Sequence, residues 1–349
     1  MTRQVLVGNV AVGGGARVSV QSMTNTDTRD VQATLQQIQR LYEAGCDIVR
    51  VSVYDEACAE AVKELVAGSP VPLVADIHFD HTLAIRSIEN GIAKVRINPG
   101  NIGGEGNVRR LADCVKSHKV PVRVGVNAGS LEKELLRKYG GPTAAALAES
   151  ALNQAKMLEG MGVTDIVLSM KASSVRTTVD AYRMVAASCD YPLHLGVTEA
   201  GTPEAGTVKS AVGIGSLLLD GIGDTIRVSL SGPPELEVPV CLDILSAVGL
   251  RDEGVEIISC PTCGRTCIEV AEIADRIRRE TRAIKTPLKI AVMGCVVNGP
   301  GEAREADIGV AGGKDGGALF VKGQPPRKVE GDLFEALMRE IRQRTNEIP

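Results

Sequence analysis

AKVRINPGNIGGEGNVRRLADCVKSHKVPVRVGVN, residues 93–127, holds one full turn of the pattern that decides the fold. A short β-rich run, AKVRIN (93–98), leads through a glycine-rich turn into a helix-period stretch, 108–117, and out again into PVRVGVN (121–127). The same alternation continues on both sides. VSVQS (18–22), DIVRVSV (47–53), PLVADIH (72–78), DIVLSM (165–170), LHLGVT (193–198) and DTIRVSL (224–230) read as further strands. Helical stretches at 30–44, 56–67, 82–90, 143–161, 175–187 and 205–219 separate them. Strand alternating with helix predicts a parallel sheet with helical crossovers. Eight repeats predict an α/β fold, a (β/α)8 TIM barrel. The strands are nearly all apolar except at their C-terminal ends, which fits burial on both faces. An open doubly wound sheet is the alternative, weakened because no G-x-G-x-x-G follows the first strand.

The rest of the 349 residues bounds what the barrel carries. A last helix near 235–247 closes the repeats, and the Gly/Asp/Glu-rich stretch 249–254 reads as a linker. The predicted domains are therefore a barrel over 1–250 and a small α+β domain over 255–349. In the latter, VEIIS, LKIAVMG, DIGVAG and GALFVKG read as strands, with helices over 267–283 and 331–344. Aromatics are only 2% of the chain, with no Trp, so stacking platforms for single-stranded nucleic acid are nearly absent. The net charge of −4 offers no basic field for DNA or a membrane surface. The longest nearly uncharged apolar stretch, 290–297, is far short of a bilayer span. The opening MTRQVLVGNV has no export pattern, so a soluble cytoplasmic protein without nucleic-acid or membrane partners is expected.

Four strands share one motif: Val49-Arg50-Val51-Ser52, Val95-Arg96-Ile97-Asn98, Val122-Arg123-Val124-Gly125 with Asn127 beyond, and Ile226-Arg227-Val228-Ser229. Side chains alternate faces along a strand, so each Arg shares its face with the Ser or Asn that follows it. The β-branched neighbours point to the helices, and the Arg side chains point into the barrel near its C-terminal mouth, where barrel enzymes keep their active sites. Lys171 and Glu199 lie just past strands six and seven; Asp76 and His78 end strand three. Converging guanidinium groups repel each other unless a dense anion sits among them, and their planar forks match phosphate. A small ligand with two or more phosphate charges is predicted. Glu199 is read as either a salt-bridge partner or a group handling a proton or orienting a hydroxyl. The loop Asn98–Gly104 reads as a plain connection, although its backbone could meet phosphate. His81, His118 and His194 have no ligand spacing and are read as structural.

There are nine Cys, too few for a disulfide scaffold in a chain of this length. Cys46, Cys58, Cys114, Cys189 and Cys241 are scattered and read as small buried hydrophobes. The others fall in Cys260-Pro-Thr-Cys263-Gly-Arg-Thr-Cys267 and in Met293-Gly-Cys295-Val-Val-Asn298-Gly-Pro-Gly-Glu302, each directly after a strand. Structural zinc prefers two C-x2-C knuckles, and only one is present. Iron–sulfur clusters tolerate wider spacing. With three thiolates, one iron is left for a carboxylate, and Glu302 is placed to be that ligand. Cys267 is its rival, but it begins a helix-period stretch and reads as core packing.

Taken with VQSMTNT, ADIHFD, RINPGNIG, VTEAG and IRVSLS, these motifs make the chain resemble the 4-hydroxy-3-methylbut-2-enyl diphosphate synthase family across essentially its whole length. The resemblance implies reductive ring opening and dehydration of 2-C-methyl-D-erythritol 2,4-cyclodiphosphate by two electrons, with a 4Fe–4S cluster as cofactor. It implies cluster ligands Cys260, Cys263, Cys295 and Glu302. It further implies substrate contacts from Arg50, Arg96, Asn98, Arg123, Asn127, Lys171, Glu199, Arg227, Ser229 and, from the cluster side, Asn298. Glu199 and Glu302 would be the catalytic carboxylates. Ferredoxin or flavodoxin would donate electrons, and the short two-domain form would work as a homodimer. The non-redox alternative is a phosphometabolite-binding barrel with a zinc-stabilised C-terminal domain.

Overall fold

A computed structural model of the chain describes residues 1–251, 254–281, 284–295, 297, 299–313 and 316–345, with only the backbone at 299, 300 and 302. The chain divides into two compact units, Met1–Leu250 and Arg251–Pro349.

The first unit opens with a hairpin, β1 (Val5–Val7) and β2 (Val10–Val12), paired Val7↔Val10 across Gly8-Asn9. Gly8 takes φ +57°, which the tight loop demands. Eight parallel strands follow: β3 (Ser19–Met23), β4 (Ile48–Ser52), β5 (Leu73–Asp76), β6 (Lys94–Ile97), β7 (Val122–Asn127), β8 (Ile166–Lys171), β9 (His194–Leu195) and β10 (Thr225–Ile226). Their spatial order is β8-β7-β6-β5-β4-β3-β10-β9, and a bridge between Leu168 and Leu193 joins the two ends into a ring. A helix follows each strand, at Val31–Glu43, Glu56–Gly68, His81–Glu89, Glu105–His118, Ala144–Gly160, Val175–Ala186, Pro203–Leu219 and Glu237–Ala247. This is the (β/α)8 barrel, with the strands ordered in space as in the chain.

Local chemistry sets the helix starts. Asp30, Asp55, Asp80, Thr143 and Ser174 each cap a helix by accepting an N–H bond in its first turn. Each such cap contributes about 1 kcal/mol. The layer between strands and helices is aliphatic, built from residues such as Ile38, Leu41, Val62, Leu65, Ile88 and Leu147. At the other end of the barrel, Val7 and Val12 of the hairpin pack on Ile48 and Val74, closing the floor. The hairpin is absent from the strands expected above, though Gly-Asn between apolar runs is a turn signal.

Strands seven and eight are shorter than their sequence runs. The β9–β10 ladder ends at Leu195 and Ile226, with a last bond from the Arg227 N–H to the Leu195 carbonyl at 3.0 Å. The physical reason is crowding above it. A Cβ at Gly196 would stand 2.8 Å from the Arg227 carbonyl and 2.9 Å from Lys171 Nζ, so only glycine fits under that ammonium.

The second unit is a five-stranded sheet in chain order: β11 (Val255–Ser259), β12 (Leu288–Met293), β13 (Ile308–Gly313), β14 (Gly316–Val321) and β15 (Arg327–Val329). The first three strands run parallel and the last two return antiparallel. Helices Val270–Glu280 and Leu333–Thr345 pack on one face through Val270, Ile277, Leu337 and Ile341. Gly299–Glu305 covers the other through Ala303 against Ala291 and Ala311. The helix expected from 267 starts instead at Val270, and β15 is an addition to the expected strands.

Candidate active site

The barrel interior is lined with cations. Arg50, Arg96, Arg123 and Lys171 are buried and Arg227 is half-buried, its side chain 14% exposed. Register explains the convergence. Arg96 stands opposite Arg123, Asp76 opposite Arg96, and Asn127 opposite Lys171, so these side chains share the inner face near the strands' C-terminal ends. Arg96 lies across the next strand because that strand carries Gly125; a Cβ there would stand 2.4 Å from Arg96 Nε.

Few anions answer these cations. Asp76 accepts from Arg96 Nη1 at 3.1 Å and lies 3.8 Å from Arg50 Nε. Glu237, on the helix after β10, holds Arg227 at 3.4 Å and accepts from the Ser22 hydroxyl at 3.1 Å. Arg50 also donates to the Met23 thioether at 2.9 and 3.1 Å, and Arg227 reaches the same sulfur at 3.6 Å. A thioether is a weak acceptor. Among the described residues, Nε and Nη1 of Arg123 meet no partner. Burial therefore drives the guanidinium of Arg50 down to a pKa of about 10 against the pull of Asp76, with Arg227 and Arg96 adding to the fall. Burial, then the other cations, pushes Arg123 and Lys171 far below their ordinary values. Asp76 moves the other way. Burial would raise its carboxyl, but Arg50, His78 and Arg96 hold it well below the usual carboxylate range.

The remaining expected contacts sit around this cluster. Asn127 and Ser229 are half-buried at the strand ends. Asn98 is buried and its amide pins the glycine-rich loop, accepting from the Gly100 N–H at 3.1 Å and reaching the Ser130 hydroxyl at 3.4 Å. Glu199 is exposed and holds φ +53°, a left-handed conformation costly for a residue with a Cβ. His78 is exposed and stands 3.4 Å from Asp76.

In the second unit the cysteine loops leave the same end of two adjacent parallel strands, with Ser259 registered on Val292. The Cys260 N–H bonds the Val292 carbonyl at 3.3 Å, and the Gly294 N–H donates to Cys260 Sγ at 3.1 Å. The Cys267 N–H donates to the Gly294 carbonyl at 2.8 Å, so the 260–267 loop is stitched onto the Cys295 loop. Gly294 permits this, because a Cβ there would stand 2.8 Å from Thr266. The backbone N–H and side chain of Arg265 lower the pKa of the exposed Cys263 thiol, and Cys263 and Cys295 both stabilise the Arg265 charge. Donated N–H bonds, a lowered thiol and two loops on one sheet end fit thiolate ligation. Among the described residues, no three His, Cys, Asp or Glu side chains converge on one metal ion. A cluster differs from such a site in that each thiolate binds its own iron. Asn298 and the side chain of Glu302 lie outside the described residues.

Cys267 corrects its expectation of core packing. It is exposed, because the helix begins three residues later and leaves it off the apolar stripe; its thiol points to the Arg265 carbonyl at 3.4 Å. Cys114 and Cys189 are half-buried, where full burial was expected.

Comparison with known proteins adds the family. The GcpE TIM-barrel domain matches residues 2–242, and the GcpE protein C-terminal domain matches residues 256–343. The chain belongs to the GcpE family. A GcpE relative from Caldanaerobacter subterraneus subsp. tengcongensis is 57% identical over 348 residues, covering 99% of this chain and 98% of its own. Another, from Geobacter sulfurreducens, is 55% identical over 341 residues, 97% of each chain. Both are named 4-hydroxy-3-methylbut-2-en-1-yl diphosphate synthase (flavodoxin). Among solved structures, a dihydropteroate synthase from Yersinia pestis aligns with a TM-score of 0.52 at 12% identity, covering 71% of this chain and 100% of that one, a likeness of fold alone. No helix among the described residues of the GcpE chain is long and apolar enough to cross a membrane.

Sequence reasoning assigned no part in the site to several of the interior residues. Met23, Glu237, Gly125 and Gly196 shape the cation cluster, and Lys94 and His194 lie buried within the same barrel. For Lys94 a signal existed: it sits two residues before Arg96 on the same strand and so on the same face.

Proposed function

We propose that the chain makes 4-hydroxy-3-methylbut-2-en-1-yl diphosphate, the product named in its relatives, by reductive ring opening and dehydration of 2-C-methyl-D-erythritol 2,4-cyclodiphosphate. The observation that supports this most is the surplus of buried positive charge in the barrel, where Arg50, Arg96, Arg123, Lys171 and Arg227 face only Asp76 and Glu237 among the described residues. A cyclic diphosphate supplies the missing negative charge in compact form, and each guanidinium can bind it through paired N–H bonds.

In this reading the Met23 thioether gives up Arg50 and Arg227 to the diphosphate, a far stronger acceptor. Asp76 keeps Arg50 and Arg96 aimed inward, and Glu237 does the same for Arg227. Asn98, Asn127 and Ser229 orient the carbon skeleton from the strand ends. Glu199, held at the mouth by its strained backbone, passes a proton to the hydroxyl that leaves as water. A 4Fe–4S cluster on Cys260, Cys263, Cys295 and Glu302 would supply, when bound, the two electrons that the ring opening consumes. Asn298 is kept as a further proposed substrate contact. Flavodoxin delivers the electrons, as the relatives' name says of them, and the chain works as a homodimer in the cytoplasm.

The test is anaerobic turnover of the cyclodiphosphate with a chemical reductant, alongside iron, sulfide and zinc assays. Product formation with iron and sulfide present supports the reading. One zinc per chain, no sulfide and no turnover would favour the non-redox barrel instead.

A further inference from the structure

Below the arginines the barrel holds a second layer of polar side chains that the proposed reaction does not use. Lys94 sits one alternation below Arg96 on β6, is 0% exposed, and its Nζ has no hydrogen-bond partner among the described residues. It shares a register row with Arg50 through Val74, while Arg96 above it pairs with Arg123. Nε and Nη1 of Arg123 are unpartnered too. The side chains of Ser19, Gln21, His194 and Thr225, on the neighbouring inner-face positions of β3, β9 and β10, are buried with every polar atom unsatisfied. The hairpin floor seals this layer from beneath. The Asp76 carboxylate, on the adjacent strand, is already taken by Arg50 and Arg96.

Guanidinium N–H groups and a protonated amine only donate, so this layer has buried donors and no matching acceptor charge. Burial, followed by Arg123 and Arg50, pushes Lys94 far below its ordinary value, a penalty that a nearby negative charge would lift.

We propose that a small monovalent anion of halide size binds in this layer, between Lys94 Nζ and the Arg123 guanidinium, beneath the place taken by the diphosphate. The Gln21 amide and the Ser19 and Thr225 hydroxyls add neutral donors around it. The anion keeps Lys94 protonated and leaves the rest of the Arg123 fork free to face the mouth. Water could fill the same space, but it would leave both charges uncompensated.

The site stands on the barrel alone and can be tested without turnover. Crystals of the full-length, cluster-loaded protein are soaked in bromide in place of chloride. An anomalous peak is expected within hydrogen-bond distance of Lys94 Nζ, and it should vanish in Lys94→Met, which keeps the volume and removes the charge. Water alone at that position, bromide confined to the mouth, or an undiminished peak in the variant would overturn the proposal. Because a core variant can fail to fold, the wild-type protein provides a second measurement. Its melting temperature should rise with the logarithm of bromide concentration relative to gluconate at equal ionic strength, and identical curves would also overturn it.

Discussion

Arg123 is 1% exposed with two unpartnered nitrogens, so it stands in the barrel with its hydrogen-bonding capacity unspent. Removing it should cost the diphosphate two charge-assisted bonds. Arg123→Ala is expected to raise KM by about 10- to 100-fold, from roughly 1.5–3 kcal/mol of lost binding, while iron content stays unchanged. Isothermal titration with the cyclodiphosphate, beside an iron assay, checks this. Asp76 is the opposite case, an anion already fully used. Asp76→Asn leaves Arg50 and Arg96 buried without their partner and should cost roughly 3–5 kcal/mol of stability. The sign with pH follows from its depressed pKa. The stabilisation is complete above the unfolded carboxylate range and disappears as pH falls through the lower folded value. Melting curves of wild type and variant should therefore keep a constant gap from neutrality to about pH 5 and converge only in stronger acid. At this scale the arginines were legible, because a lone charge between β-branched neighbours on a barrel strand faces the interior and not the apolar helix layer. Glu237 was not: it comes from a helix, and no local pattern ties it to Arg227.

Single elements work by close approach. The glycine in Val122-Arg123-Val124-Gly125 lets Arg96 lie across its neighbour strand. Gly125→Ala should cost about 1–3 kcal/mol through overpacking. Its larger effect should be weaker cyclodiphosphate binding, since Arg96 must move; titration calorimetry against thermal melting separates the two. Gly294 has the matching role between the cysteine loops. Cys263→Ala should abolish the visible absorption of an iron–sulfur chromophore and turnover together, and undiminished activity would refute the assigned ligand set. The strand–helix alternation made the barrel readable almost element by element, since each cap and apolar stripe is local. The shortened β9 and β10 were not readable, because the crowding of Gly196 against Arg227 and Lys171 arises only when distant strands meet. Cys267 was misjudged for a related reason: helical periodicity continues upstream of Val270, but the tether to Gly294 keeps that stretch out of the helix.

At the scale of the whole chain, each unit has a core of its own. The aliphatic shell of the barrel and the Val270–Ile341 cluster of the second unit share no residue. Stripping iron with a chelator should therefore leave barrel secondary structure and cyclodiphosphate affinity near their starting values while turnover is lost; circular dichroism and calorimetry on the stripped protein check this. The β1–β2 hairpin has one more consequence. It makes the barrel a cup with a stopper, and Met1, fully exposed beside that stopper, lies at the opposite end from the arginines. Tethering the protein to a bead or an electrode through its first residue would leave the barrel's arginine-lined end directed away from the support.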